Sequence, residues 1–295
     1  MRNAHLAVAL AVASVLARPL HATTGEPRFS HVTLSTGVQM HVAEQGPATG
    51  EPVILLHGYS DSWFSFSRIL PLLPDDYRVF ALDMRGHGQS SRPAKGYAMH
   101  DLAADVLAFM DAKGIVRATI VGHSMGGFVA QQMALAAPKR VSRLVIVSSA
   151  RTVHAFAGID EFRQVVESLR DPVPREFAEE FQRSTLHRPV PNAFMEGVIA
   201  ESQRLPVRVW QGIMQGMLAA QPAVSLGRSG IPALVMWGDK DAWPPRAEQD
   251  SLVAMLRTAS LTVLRDMGHA PHWEAPDEFA RELVDFLRRT RPAGE

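Results

Sequence analysis

The sequence predicts an α/β fold: a mostly parallel eight-stranded sheet with helices on both faces, and a helical segment inserted between two of the strands. Three observations carry this. Short apolar runs alternate with amphipathic helical stretches along most of the chain. One long segment, residues 149–229, breaks that rhythm and holds no convincing strand. At Gly122-His123-Ser124-Met125-Gly126-Gly127 a serine stands between an apolar run and a helical run, with glycines two residues to either side.

In chain order, Phe29–Leu34 and Val38–Ala43 alternate in polarity around Ser35-Thr36-Gly37, which predicts a hairpin. Val53–Leu56 is a continuous apolar run, the pattern of a strand buried on both faces, and Arg78–Leu82 is the next. Asp101–Lys113 places Leu102, Val106, Phe109 and Met110 at helical spacing and ends at Gly114. The run Ala118–Val121 leads into the serine turn and a helix that stops at Ala137-Pro138. Strands follow at Leu144–Val147, Ala233–Trp237 and Leu261–Leu264, and an amphipathic helix at Glu278–Arg289 closes the chain. The inserted segment consists of helical stretches broken by Pro172, Pro174, Pro189, Pro191 and Pro206. It is rich in phenylalanine and methionine, which serve to pack the segment, with some of them facing the gap between it and the sheet. The expected organisation is a leader over 1–22, core over 23–148, a helical cap over 149–229 and core again over 230–295.

The leader is read from Arg2 followed by the uncharged run Leu6–Ala17, with Leu20-His21-Ala22 as a cleavage site. That run is shorter than the roughly 20 residues a membrane span requires, so an exported, periplasmic or secreted mature protein without a membrane span is expected. Among the 295 residues there is no cysteine, which excludes a thiol nucleophile and cysteine zinc sites. Basic and acidic residues balance at 30 each, so nothing suggests a nucleic-acid partner.

The chemistry centres on Ser124. A sharp bend between strand and helix lifts its hydroxyl clear of the sheet and turns the Met125 N–H and the helix N-terminus toward the same space. A serine hydroxyl needs a base within hydrogen-bond reach, and the base needs an orienting group. Candidates follow the last two strands: Gly238-Asp239-Lys240-Asp241 and Asp266-Met267-Gly268-His269. Parallel strands gather reactive groups at their carboxyl ends, so Ser124, one of the two aspartates and His269 should converge. His272 is the rival base, expected at the pocket wall or the surface. The His269/His272 pair lacks a third nearby ligand, so no metal site is read from it.

These segments together resemble a capped α/β-hydrolase of the superfamily that includes esterases, lactonases, epoxide hydrolases and haloalkane dehalogenases. His57-Gly58-Tyr59 resembles its oxyanion loop, and Asp83–Ser90 its structural loop after the next strand. Gly238–Asp241 resembles its acid loop, and Gly268-His269 with Glu274 its histidine loop. The resemblance implies Ser124 as nucleophile, His269 as base, Asp241 rather than Asp239 as acid, and an oxyanion hole of the Tyr59 and Met125 backbone amides. It implies no cofactor and no metal. His57, Asp83, Arg85, His87 and His123 are read as structural, and the role of the Tyr59 side chain stays open.

Dehalogenases and epoxide hydrolases of this superfamily attack with an aspartate, so the serine points elsewhere. Carbon–carbon bond hydrolases use serine with a glycine-rich oxyanion segment that is absent here. The expectation is a small-molecule ester or lactone with an apolar acyl or alcohol part. Two alternatives stand beside it: a cofactor-free perhydrolase resembling non-haem haloperoxidases, and a ligand-binding member with slow turnover.

Overall fold

The computed structural model describes residues 25–291, so the run read as an export leader lies outside the described residues. Eight strands form one sheet: β1 (Arg28–Thr33), β2 (Gln39–Gln45), β3 (Glu51–Leu56), β4 (Tyr77–Leu82), β5 (Ala118–His123), β6 (Val141–Val147), β7 (Ala233–Gly238) and β8 (Ala259–Leu264). Their spatial order is β1-β2-β4-β3-β5-β6-β7-β8. Strands β1 and β2 form an antiparallel hairpin, β2 pairs antiparallel with β4, and every other pairing is parallel.

The apolar runs of β3 and β5 have the composition of strands covered on both faces, and the packing uses both. Ile54, Leu56 and Ile120 face a core shared with α1 (Met99–Ala112) and α2 (Met125–Ala136). Leu55, Val121 and Val145 face the other core, filled by Phe279, Leu283, Val284 and Leu287. Those four side chains recur at helical spacing on α9 (Pro276–Arg289), which starts two residues before the predicted helix because Pro276 suits a first turn.

Between β6 and β7 lie α3 (Ile159–Ser168), α4 (Arg175–Ser184), α5 (Asn192–Gln203) and α6 (Val207–Ala219), with no strand among them. The amphipathic α3 and α4 cover the site, and α6 buries Trp210 completely. Two short helices complete the chain: α7 (Arg246–Leu256) and α8 (Pro271–Glu274). The sequence pattern did not reveal α7, because its buried face carries Glu248 and Gln249 beside Leu252 and Leu256. Those polar groups are held by side-chain bonds instead: Gln249 Nε2 donates to the Ser149 carbonyl at 2.9 Å, and Glu248 pairs with Arg151 at 2.8 Å.

Candidate active site

Ser124 sits between β5 and α2 with φ 50° and ψ −114°, a backbone conformation that costs a side-chain-bearing residue roughly 1–3 kcal/mol. The surrounding packing enforces it. The Ser124 N–H donates to the Val147 carbonyl at 2.9 Å. A Cβ on Gly122 would lie 2.2 Å from the Gly126 carbonyl oxygen, and one on Gly126 would lie 2.2 Å from the Leu56 carbonyl oxygen. Strand β3, the turn and α2 therefore approach backbone to backbone, as only glycine permits.

Side chains from three strand ends meet here. Ser124 Oγ lies 2.9 Å from His269 Nε2. His269 Nδ1 lies 3.0 Å from each carboxylate oxygen of Asp241. With the carboxylate accepting at Nδ1, that nitrogen carries the proton, and Nε2 presents its lone pair to the hydroxyl. The Asp241 side chain is fully buried and that of His269 nearly so. Asp241 Oδ1 also accepts the Trp243 N–H at 2.9 Å, which fixes the carboxylate plane.

The rivals lie elsewhere. Asp239 accepts the Asp266 N–H at 2.5 Å and braces the loop after β8. His272 is neither a pocket wall nor a surface residue: it is fully buried, with Nε2 3.0 Å from Ser65 Oγ and its ring 4.5 Å from that of His123. Among the described residues, no group of three or more His, Cys, Asp or Glu could hold a metal, and no helix is long and apolar enough to cross a membrane.

Tyr59 follows β3 and lines the same cavity as Ser124. Its hydroxyl donates to the Trp210 carbonyl at 2.6 Å, which ties the loop to α6, and burial pushes the phenol well above its usual pKa. The Met125 N–H lies in the first turn of α2, where amides have no partner within the helix. The His57 side chain binds its own loop: Nδ1 donates to the Gly58 carbonyl at 2.8 Å, and Nε2 accepts the Met84 N–H at 3.1 Å. Burial holds this imidazole down at about 4, so it is neutral. Asp83 and Arg85 also act within the scaffold. Asp83 accepts the Trp63 and Gln89 N–H groups at 2.7 and 2.9 Å, and Arg85 is held by both oxygens of Asp105.

The inserted helices grip the site at two points that no local pattern signals. The Thr185 carbonyl accepts the His269 N–H at 2.8 Å. Gln182 Nε2 donates to Asp61 Oδ1 at 3.0 Å, and burial raises the Asp61 carboxyl to about 7. Sequence reasoning does not single out Trp243, although a tryptophan two residues beyond Asp241 in a loop is a visible signal. The cavity above Ser124 is about 30 Å³, walled by Tyr59, Phe156, Ile159, Met214, Met217 and Trp243 among others.

The chain matches the α/β hydrolase fold family over residues 51–276 and belongs to it. Among individual proteins, it is 33% identical to the dihydrolipoyllysine-residue acetyltransferase component of the acetoin cleaving system of Cupriavidus necator, over 85% of this chain and 67% of that one. It thus spans about two thirds of the length of that relative. It is 31% identical to the non-heme chloroperoxidase of Streptomyces lividans, over 87% of this chain and 99% of that one. Among solved structures, a putative aryl esterase from Burkholderia cenocepacia superposes with a TM-score of 0.80 at 25% identity, covering 89% of this chain and 99% of that one.

Proposed function

We propose that this hydrolase cleaves carboxylic esters or lactones through an acyl-enzyme on Ser124. The observation that carries the reading is the unbroken hydrogen-bonded line from Ser124 Oγ through His269 to Asp241 at the floor of an apolar cavity. In this reading Ser124 Oγ attacks the substrate carbonyl while His269 Nε2 takes its proton. The Tyr59 and Met125 amides hold the oxyanion, aided by the positive end of α2. His269 passes the proton to the leaving alcohol oxygen, then activates the water that releases the acid. Asp241 keeps the imidazole in the required tautomer and stabilises its charged form. The helices between β6 and β7 act as a cap that dries the site and selects an apolar substrate.

The test is labelling by a fluorophosphonate together with turnover of a short aryl ester. Ser124→Ala should lose labelling and at least about 10⁴-fold in kcat; wild-type turnover by this variant would overturn the reading. The 31% identity to a non-heme chloroperoxidase along nearly the whole of that relative favours a second reaction at the same serine, with hydrogen peroxide attacking the acyl-enzyme to release a peracid. Halide oxidation in the presence of acetate and peroxide, absent in Ser124→Ala, measures it.

A further inference from the structure

We propose that a second, outer chamber beside the Ser124 cavity is the subsite for a flat aromatic alcohol, which makes short-acyl esters of arylmethyl or aryl alcohols the preferred substrates. This rests on the acyl-enzyme reading and assigns the two halves of its substrate. The outer chamber holds about 220 Å³ between Phe162, Val165, Phe177, Phe181 and Trp243, with Glu180 and Ser184 also lining it. Phe162, Phe181 and Trp243 line both spaces, so the outer chamber adjoins the serine cavity along an aromatic border.

The rings are arranged for a planar guest. Phe162 lies 15° from parallel with Phe177 and 18° from parallel with Phe181, at centroid separations of 6.2 and 5.0 Å. Trp243 stands across the row, at 79° to Phe162 and 73° to Phe181. A flat ring entering here meets both the stacked and the edge-on geometries that aromatic pairs prefer. Size divides the substrate the same way. A dry apolar cavity of about 150 Å³ suffices for benzene, and the outer chamber exceeds that. The inner cavity of about 30 Å³ has room for a methyl-sized acyl group.

Orientation follows from the proton's route. The leaving oxygen receives the proton that His269 took from Ser124, as the acyl carbon forms its bond to Oγ and breaks its bond to the alcohol oxygen. The alcohol therefore departs on the His269 side. Trp243 walls that side, with its ring 6.3 Å from the His269 ring and its backbone N–H donating to Asp241 Oδ1. The exposed carboxylate of Glu180 disfavours anionic alcohols, and among the described residues no lysine or arginine lines either space.

The experiment compares kcat/KM for benzyl acetate and cyclohexylmethyl acetate, whose alcohols are similar in bulk and differ in flatness, each rate divided by that ester's rate of hydroxide hydrolysis. The benzyl ester should be preferred by about fivefold or more. Val165, 45% exposed on α3, lines only the outer chamber. Val165→Trp should fill it and lower the benzyl-to-methyl acetate selectivity by about tenfold; Phe162→Leu should erase the benzyl preference. Independently, benzyl alcohol should bind Ser124→Ala protein more tightly than cyclohexylmethanol does by titration calorimetry, and adding Val165→Trp should remove that difference. Ester hydrolysis with equal rates for the two esters, or with a preference that neither variant moves, overturns the chamber assignment. Benzyl alcohol binding without hydrolysis of any ester overturns the acyl-enzyme reading instead and leaves the chamber standing.

Discussion

His123 Nε2 donates a 2.9 Å hydrogen bond to the backbone carbonyl of His269. His123 is the residue directly before Ser124, so the bond ties the serine turn to the loop that carries the imidazole. Because a carbonyl can only accept, Nε2 carries the His123 proton, and Nδ1 turns its lone pair toward Asp61 Oδ2, 4.0 Å away. His123→Ala should therefore loosen the serine–imidazole alignment without touching substrate. We expect kcat to fall about ten- to hundredfold with KM nearly unchanged, read from steady-state kinetics on an aryl ester. An equal fall in kcat/KM through KM alone would contradict this.

Asp241 faces His269 Nδ1 with both oxygens. Asp241→Asn would present an amide N–H to that nitrogen or leave one oxygen as its acceptor, and under the proposed mechanism the wrong tautomer would deprive Ser124 of its base. The expected loss is on the order of 10⁴-fold in kcat with an unchanged circular dichroism spectrum.

Glu274 joins the imidazole loop to the inserted helices. Its carboxylate accepts the Gly268 N–H at 2.9 Å, the His187 N–H at 3.2 Å and the Arg188 N–H at 2.7 Å. Burial raises this carboxyl above its usual range, while the three amides oppose the rise. Glu274→Gln keeps the shape but turns an NH₂ group toward an N–H donor. We expect a loss of about 1–3 kcal/mol, a few degrees in melting temperature, measurable by differential scanning calorimetry.

The turn itself should tolerate no methyl group. In Gly126→Ala the new carbon would meet the Leu56 and His57 carbonyl groups, backbone that has no room to give. A loss of more than about 3 kcal/mol is expected, seen as a collapse of soluble yield or of the urea midpoint.

Acid should destabilise the protein at pH values above the ordinary carboxylate range. His57 is held at about 4 and His272 at about 3, and His87 and His123 lie well below the ordinary range, each chiefly because burial disfavours the imidazolium. Between those values and the unfolded value of about 6.5 the unfolded chain binds more protons, so stability rises with pH across that window and is lost as pH falls through it. Asp61, raised to about 7, and Glu274 act in the opposite sense: their protonated forms favour the fold, and that contribution fades as pH rises toward the folded values. Four histidines outweigh two carboxyls, so the melting temperature should drop steadily from pH 6.5 to 5. Asp61→Asn should raise it more at pH 8 than at pH 5, which a pH series of thermal melts checks.

Much of the site was legible from the chain because its signals are local. The G-x-S-x-G turn needs its glycines within four residues of one another, and the aspartate and histidine each lie four or five residues past the end of an apolar strand run. Six of the eight strands showed themselves through apolar composition and the first two through alternation, with ends that moved by up to three residues, the largest at the start of β6. Helix α7 did not, since Glu248 and Gln249 replace the apolar periodicity on its buried face. His272 could not be placed either, because neither its own sequence neighbourhood nor its distance from His269 says that Ser65 and Phe66 will close over it.

The sequence by itself determined the order of sheet and helix and the two residue types, histidine and aspartate, that close on Ser124, since strand propensity, turn geometry and the positions of strand ends are properties of neighbouring residues. Only the tertiary structure decided how the inserted helices hold that site: Thr185 on the His269 amide, Gln182 on Asp61, Tyr59 on Trp210, and Trp243 across the row of phenylalanines. Those partners are separated by tens to more than a hundred residues, and what selects them is the complementary packing of one whole surface against another, which no single stretch of chain encodes.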